Sequence, residues 1–148
     1  MPLTMTAPLH ILLAEQDDDI RSLFAALFGS RGHTVSQAKN ASEALDCVER
    51  KAPDVVFSSL VFGDLNGFEL CRRLRAMPQT AASLIVALTG YTESGIQAKA
   101  KAAGFDRYFL KPVQLHAVLD LLGHRTAQRQ PAGTGLPVDA HASRGESA

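Results

Sequence analysis

The chain has 148 residues, 46% of them hydrophobic, which suits one folded domain with an ordinary core. Its 15 basic and 15 acidic side chains cancel, which excludes a general electrostatic footprint for DNA, RNA or anionic lipid. No apolar stretch approaches the roughly 20 residues that cross a bilayer, the N-terminal MPLTMTAPLH has neither the basic cluster nor the apolar run of a secretory signal, and the two cysteines, Cys47 and Cys71, lack ligand-like spacing; a soluble cytoplasmic protein with buried, reduced thiols is expected.

Residues 1–8 read as a flexible arm. The first strand is Ile11–Ala14. Ile20, Leu23, Phe24, Leu27 and Phe28 then repeat at helical spacing, with Asp18 or Asp19 as cap and Gly29 and Gly32 marking the end. A second strand lies near Thr34–Ala38. A second helix carries Ala41, Ala44, Leu45 and Val48 and stops at Pro53. The third strand, Val55–Leu60, is apolar on both faces apart from its serines. A third helix follows Asn66-Gly67, buries Leu70, Cys71, Leu74 and Met77, and ends before Pro78. The fourth strand is Leu84–Leu88. The fourth helix, Glu93–Ala103, is alanine-rich with Ile96 as its large anchor. The fifth strand is Arg107–Leu110, and a fifth helix offers Leu115, Val118, Leu119 and Leu122. The folded body is therefore 9–125. Residues 126–148 are rich in Ala, Gly, Pro and Ser and bury too little apolar surface to offset ordering, so a disordered tail is expected.

Five strands alternating with five helices predict an α/β fold: a parallel sheet of order 2-1-3-4-5, doubly wound. Ligands of such sheets bind beyond the carboxyl ends of the strands, at the point where strand order reverses. The first and third strands flank that point, so topology alone puts Glu15 and Ser59 in the site.

Four polar positions close apolar runs: Glu15, Ser59, Thr89 and Lys111, the last followed by Pro112 in GFDRYFLKP. With this layout residues 9–125 resemble a response-regulator receiver domain of the CheY-like kind. The resemblance implies two acidic metal ligands after the first strand, here Glu15 and the neutral Gln16. It implies an aspartate that accepts a phosphoryl group, here Ser59, a hydroxyl at Thr89, a lysine at Lys111, a switch aromatic at Tyr108 and a cis Lys111-Pro112 bond. The chain departs from that pattern at two places. Magnesium usually takes one or two carboxylates, and Glu15 is the only sure one, with Lys111 able to neutralise it; magnesium at Glu15 is expected to be weak or lost, leaving no cofactor. Ser59 cannot form an acyl phosphate, and no histidine at a strand end is placed to activate it. It is expected to hydrogen-bond Lys111 or Thr89. Asp64, in the loop after the third strand, is the candidate substitute acceptor.

The expected function is thus an atypical receiver-like signalling module of two-component type, not an enzyme. It would act independently of phosphorylation, by contact with a protein such as a histidine kinase or as a homodimer. The resemblance points to the surface of helix four, strand five and helix five: Ile96, Lys99, Lys101, Arg107, His116 and Asp120. The alternative is a single-domain regulator phosphorylated at an unusual acceptor in a phosphorelay. A flavodoxin-like cofactor binder is disfavoured, because Glu15-Gln16-Asp17-Asp18-Asp19 would repel phosphate where such proteins cradle it. That acidic stretch reads as a loop with a helix cap, not a calcium loop. Arg72, Arg73 and Arg75 read as a solvated helix face, with a docking patch for an acidic partner as the other reading. The five histidines have no metal-type spacing, and His116 is expected to face solvent.

Overall fold

The computed structural model describes residues 7–91 and 95–129. Leu9–Val113 forms one compact unit; the described residues 7–8 and 114–129 belong to a second. The first unit holds β1 (His10–Ala14), α1 (Asp18–Ser30), β2 (Thr34–Ala38), α2 (Ala41–Arg50), β3 (Val55–Ser59), α3 (Gly67–Ala76), β4 (Leu84–Thr89), α4 (Ile96–Ala103) and β5 (Arg107–Leu110). The second holds α5 (Leu115–Arg129).

All strand pairs are parallel and the order is β2-β1-β3-β4-β5, as the alternation of elements predicts. The three inner strands are apolar on both faces because both are covered. Leu12, Ala14, Val56, Ile85 and Ala87 meet α2, α3 and α4 through Val48, Leu70, Leu74 and Ala100. Ile11, Leu13, Val55, Phe57, Val86 and Leu88 alternate with these and are also buried. On that second face Phe28 of α1 stacks on Phe57 of β3, ring centroids 5.1 Å apart.

Local chemistry sets the helix ends. Asp17 caps α1, its Oδ1 accepting from the Ile20 amide at 3.0 Å, one residue earlier than expected. Leu23 is 55% exposed, Ile20 and Leu27 are half-buried, and Phe24 and Phe28 are the buried anchors of that helix. Asn40 and Asn66 cap α2 and α3. The α4 helix starts at Ile96, after Gly95 at φ 91°; Glu93, its expected first residue, lies outside the described residues. The α5 helix runs to Arg129, so 126–129 are helical and not part of a tail; 130–148 lie outside the described residues. Cys47 and Cys71 are buried free thiols, and burial pushes Cys71 up to about 11. No helix among the described residues is long and apolar enough to cross a membrane.

Two histidines secure the N-terminal end of the β1–β2 edge. His33 Nδ1 accepts the Leu9 amide at 3.0 Å, and the ring nitrogens of His10 bond Thr34 Oγ1 at 2.7 Å and Ser36 Oγ at 3.0 Å. Burial lowers the pKa of both; nearby Lys51 adds to the effect at His10 and Asp54 opposes it. The neutral rings are therefore favoured by folding, and the unfolded chain protonates first, near pH 6.5. Stability should be full above that pH and decline as pH falls below it. Urea midpoints measured from pH 7.5 to 5 should show this decline. His33→Asn, whose Oδ1 can accept the same amide, should flatten it.

Candidate functional site

The carboxyl ends of four strands bring the site together. Glu15 follows β1, Ser59 ends β3, Thr89 ends β4 and Lys111 follows β5. Glu15 is 1% exposed, and its two oxygens are both engaged: Oε1 accepts from Lys111 Nζ and Oε2 from the Asp17 amide, each at 2.9 Å. The expected Glu15–Lys111 ion pair is thus formed. Arg21, whose side chain is 14% exposed, donates to the Glu15 carbonyl oxygen at 2.7 Å and pairs with Asp18. The Arg21 contact holds Asp18 below the ordinary carboxylate range. Gln16 is exposed.

Ser59 does not bond Lys111 or Thr89. Its hydroxyl turns into its own loop, reaching the Val61 carbonyl oxygen at 3.5 Å and the Val61 amide at 3.4 Å, both long contacts. The reason is competition. Lys111 finds a carboxylate in Glu15, a stronger acceptor than a neutral hydroxyl. Thr89 Oγ1 accepts the Tyr91 amide at 3.0 Å, while the Thr89 carbonyl accepts the Lys111 amide at 2.8 Å. Ser58, also buried, donates to the Ser59 carbonyl oxygen at 2.8 Å.

Tyr108 packs its ring against the core face shared with Ile96, and its hydroxyl donates to the Tyr91 carbonyl oxygen at 2.9 Å. The Lys111-Pro112 bond is cis.

Sequence reasoning left three features of the fold unread, two beside the site and the third, Arg75, at the opposite end of β4 and β5. Asp64 Oδ1 accepts from the Ala41 amide and Oδ2 from the Ser42 amide, at 3.1 and 2.9 Å, tying the β3–α3 loop to the N-terminus of α2. Desolvation by its surroundings would raise its pKa, but these amides, with those of Asp64 itself and Leu65, together outweigh that and lower it. Gly67 presses on the end of β3. Arg75 is not a solvated residue: its guanidinium bonds Gly104 O, Ala81 O, Ser83 O and Asp106. None of these has a local signature, since each partner lies distant in sequence or is a backbone group.

The family model described as the response regulator receiver domain matches residues 11–122. The chain belongs to the response regulator receiver family. An uncharacterized 14.6 kDa protein of Leptolyngbya boryana is 35% identical over 107 residues, 72% of this chain and 82% of that one. Sporulation initiation phosphotransferase F of Bacillus subtilis is 27% identical over 110 residues, 74% and 87% of the two chains. The transcriptional regulatory protein AfsQ1 of Streptomyces coelicolor is 31% identical over 104 residues, and the match spans 45% of its length. Among solved structures, the chemotaxis response regulator CheY4 of Vibrio cholerae superposes with a TM-score of 0.74 at 24% identity, covering 80% of this chain and 99% of that chain. The family assignment rests on the sequence match, and the structural likeness shows the fold.

Proposed function

We propose that this receiver domain works without phosphorylation, as a signalling module that binds a partner protein and catalyses nothing itself. The observation that carries the reading is the pairing of Glu15 with Lys111 above a strand β3 that ends in Ser59. A magnesium ion requires near-octahedral oxygen donors and strips its water reluctantly. The donors at this point are a carboxylate already neutralised by Lys111, a neutral and exposed Gln16, and a serine hydroxyl. That set does not fit the ion. A hydroxyl at Ser59 also offers no carboxylate to become an acyl phosphate. Asp64, the nearest acid downstream of β3, has both oxygens engaged by α2 amides.

Within the first unit, the surface that the resemblance assigns to partners includes Lys99 and Lys101, both exposed, with Ile96 and Arg107 half-buried. A histidine kinase or a second copy of the chain suits such a surface.

The test is intact mass after incubation with acetyl phosphate and millimolar magnesium. The wild type should gain nothing, and NMR with magnesium and beryllofluoride should leave its spectrum unmoved. Ser59→Asp should respond only in part, because Gln16 still weakens the metal position. A labile adduct of one phosphoryl group on the wild type would overturn the reading. It would favour the alternative of a regulator phosphorylated at an unusual acceptor, and the name of the Bacillus relative is that of a phosphotransferase; loss of the adduct in Asp64→Asn would then locate the acceptor.

A further inference from the structure

The arginine cluster of α3 divides in two in the folded chain. Arg75 turns inward to backbone carbonyls and Asp106. Arg72 and Arg73 stay outside, their side chains 54% and 53% exposed. They share one carboxylate, Glu69, at 3.1 and 3.4 Å. The two guanidiniums hold Glu69 below the ordinary carboxylate range, so it stays ionised and cancels one of the two charges.

The α4 helix adds to this. It packs beside α3 on the same face of the sheet, both helices feeding one core cluster. Its outer side presents Lys99 and Lys101, both exposed and without a carboxylate partner among the described residues, interleaved with the exposed small residues Ala98 and Ala102. Four cations thus face solvent against one anion on two neighbouring helices. The excess is local, because the chain as a whole is neutral. Residues 66–113 carry seven basic and three acidic side chains, and residues 9–65 five basic and nine acidic.

We propose that the joint outer surface of α3 and α4 docks an acidic segment of a partner protein. The alanines between the lysines let a peptide backbone approach closely. A segregated positive patch on a neutral body attracts and orients an acidic partner. Nucleic acid is the poorer match. Among the described residues of α3 and α4 the one aromatic side chain is Phe68, half-buried against the core and so a poor platform for a base, and a polyanion longer than the patch would meet the acidic first half of the chain. The inference rests on the reading of the domain as a binding module, but not on how its pocket behaves. Phosphorylation at the pocket and binding at these helices can therefore fail separately.

The test is an NMR titration of the full-length, isotope-labelled protein at low ionic strength, with a short oligo-glutamate peptide and, in a second arm, a DNA duplex of equal charge. Amide shifts with the peptide should concentrate on α3 and α4 and shrink as salt is added. The double variant Arg72→Glu/Lys99→Glu should bind about tenfold more weakly or worse, with a melting temperature lowered by only about 2 °C, because both side chains are exposed and the Arg72–Glu69 pair it removes is a surface one. The neutralising Arg72→Gln/Lys99→Gln should lose less. Absence of shifts on these helices, shifts spread evenly over the surface, or tighter binding of the duplex would each overturn the proposal.

Discussion

Gly67→Ala should lower stability by about 3 kcal/mol and the melting temperature by roughly 10 °C, although alanine is the better helix former. Gly67 opens α3 directly against the end of β3. A Cβ there would stand 2.7 Å from Leu60 Cα and closer still to the Ser59 carbonyl oxygen. Both are backbone atoms, so no side chain can swing aside. The helix cannot easily retreat either. The Gly67 amide donates to Leu60 O at 3.0 Å, Asn66 caps the same turn, and Leu70 and Leu74 are fully buried below it. The propensity gain is at most about 1 kcal/mol, and an unrelieved backbone clash exceeds it. Gly29→Ala is the control. That glycine lies in the exposed last turn of α1 with open space around its Cβ position, and its substitution should be neutral or mildly stabilising. Thermal melts of the two variants decide the matter. Equal melting temperatures would mean that the β3–α3 junction is looser than its geometry indicates. Because the clash falls on Ser59 and Leu60, any folded Gly67→Ala protein should also show amide shifts at the strand end that carries the site.

The same junction marks where the sequence was readable and where it was not. Sheet order followed from apolar runs too continuous for one-sided strands, and the strand ends then placed Glu15 and Lys111 close enough to pair. Those inferences need only local pattern and topology. The partner of Ser59 was misjudged because a hydroxyl competes for Lys111 with a carboxylate 96 residues away in sequence, and the carboxylate wins. The α1 cap slipped by one because Asp17, Asp18 and Asp19 are chemically equivalent as caps; the backbone at Asp17, extended at φ −76°, ψ 118°, makes the choice. The start of α4 moved because Gly95 takes a left-handed conformation, and glycine spacing alone does not announce one. Asp64 read as a spare carboxylate near the pocket, whereas its partners are amides of α2, 22 and 23 residues upstream. A side chain that serves distant backbone groups leaves no periodicity to find.

Arg75 is the strongest instance of that rule, and Arg75→Met should cost about 3 kcal/mol. Its Nε and Nη2 reach Gly104 O at 2.9 and 2.7 Å, its Nη1 reaches Ser83 O at 2.7 Å and Ala81 O at 3.1 Å, and Nη2 pairs with Asp106 Oδ2 at 2.6 Å. One guanidinium thereby fastens α3 to the approach of β4 and to the α4–β5 turn. Asp106 extends the fastening, since the same Oδ2 accepts the Ile85 amide at 2.8 Å. Methionine keeps the bulk of the stem but strands the carbonyls of Ser83 and Gly104. The Arg75 side chain is 23% exposed, so water recovers part of the loss, which keeps the expected cost below that of a fully buried pair. Arg75→Lys should rescue less than half, because one ammonium cannot reproduce a planar fork that serves several acceptors. Gly104 is matched to this arrangement: at φ 114° it tolerates the left-handed turn, and a Cβ there would stand 2.8 Å from Arg75 Cγ. Urea unfolding of Arg75→Met, Asp106→Asn and the double variant should show a coupling of about 1 kcal/mol between the two sites. Strict additivity would reduce the Arg75–Asp106 contact to a surface ion pair and leave the carbonyl bonds as the whole of the effect.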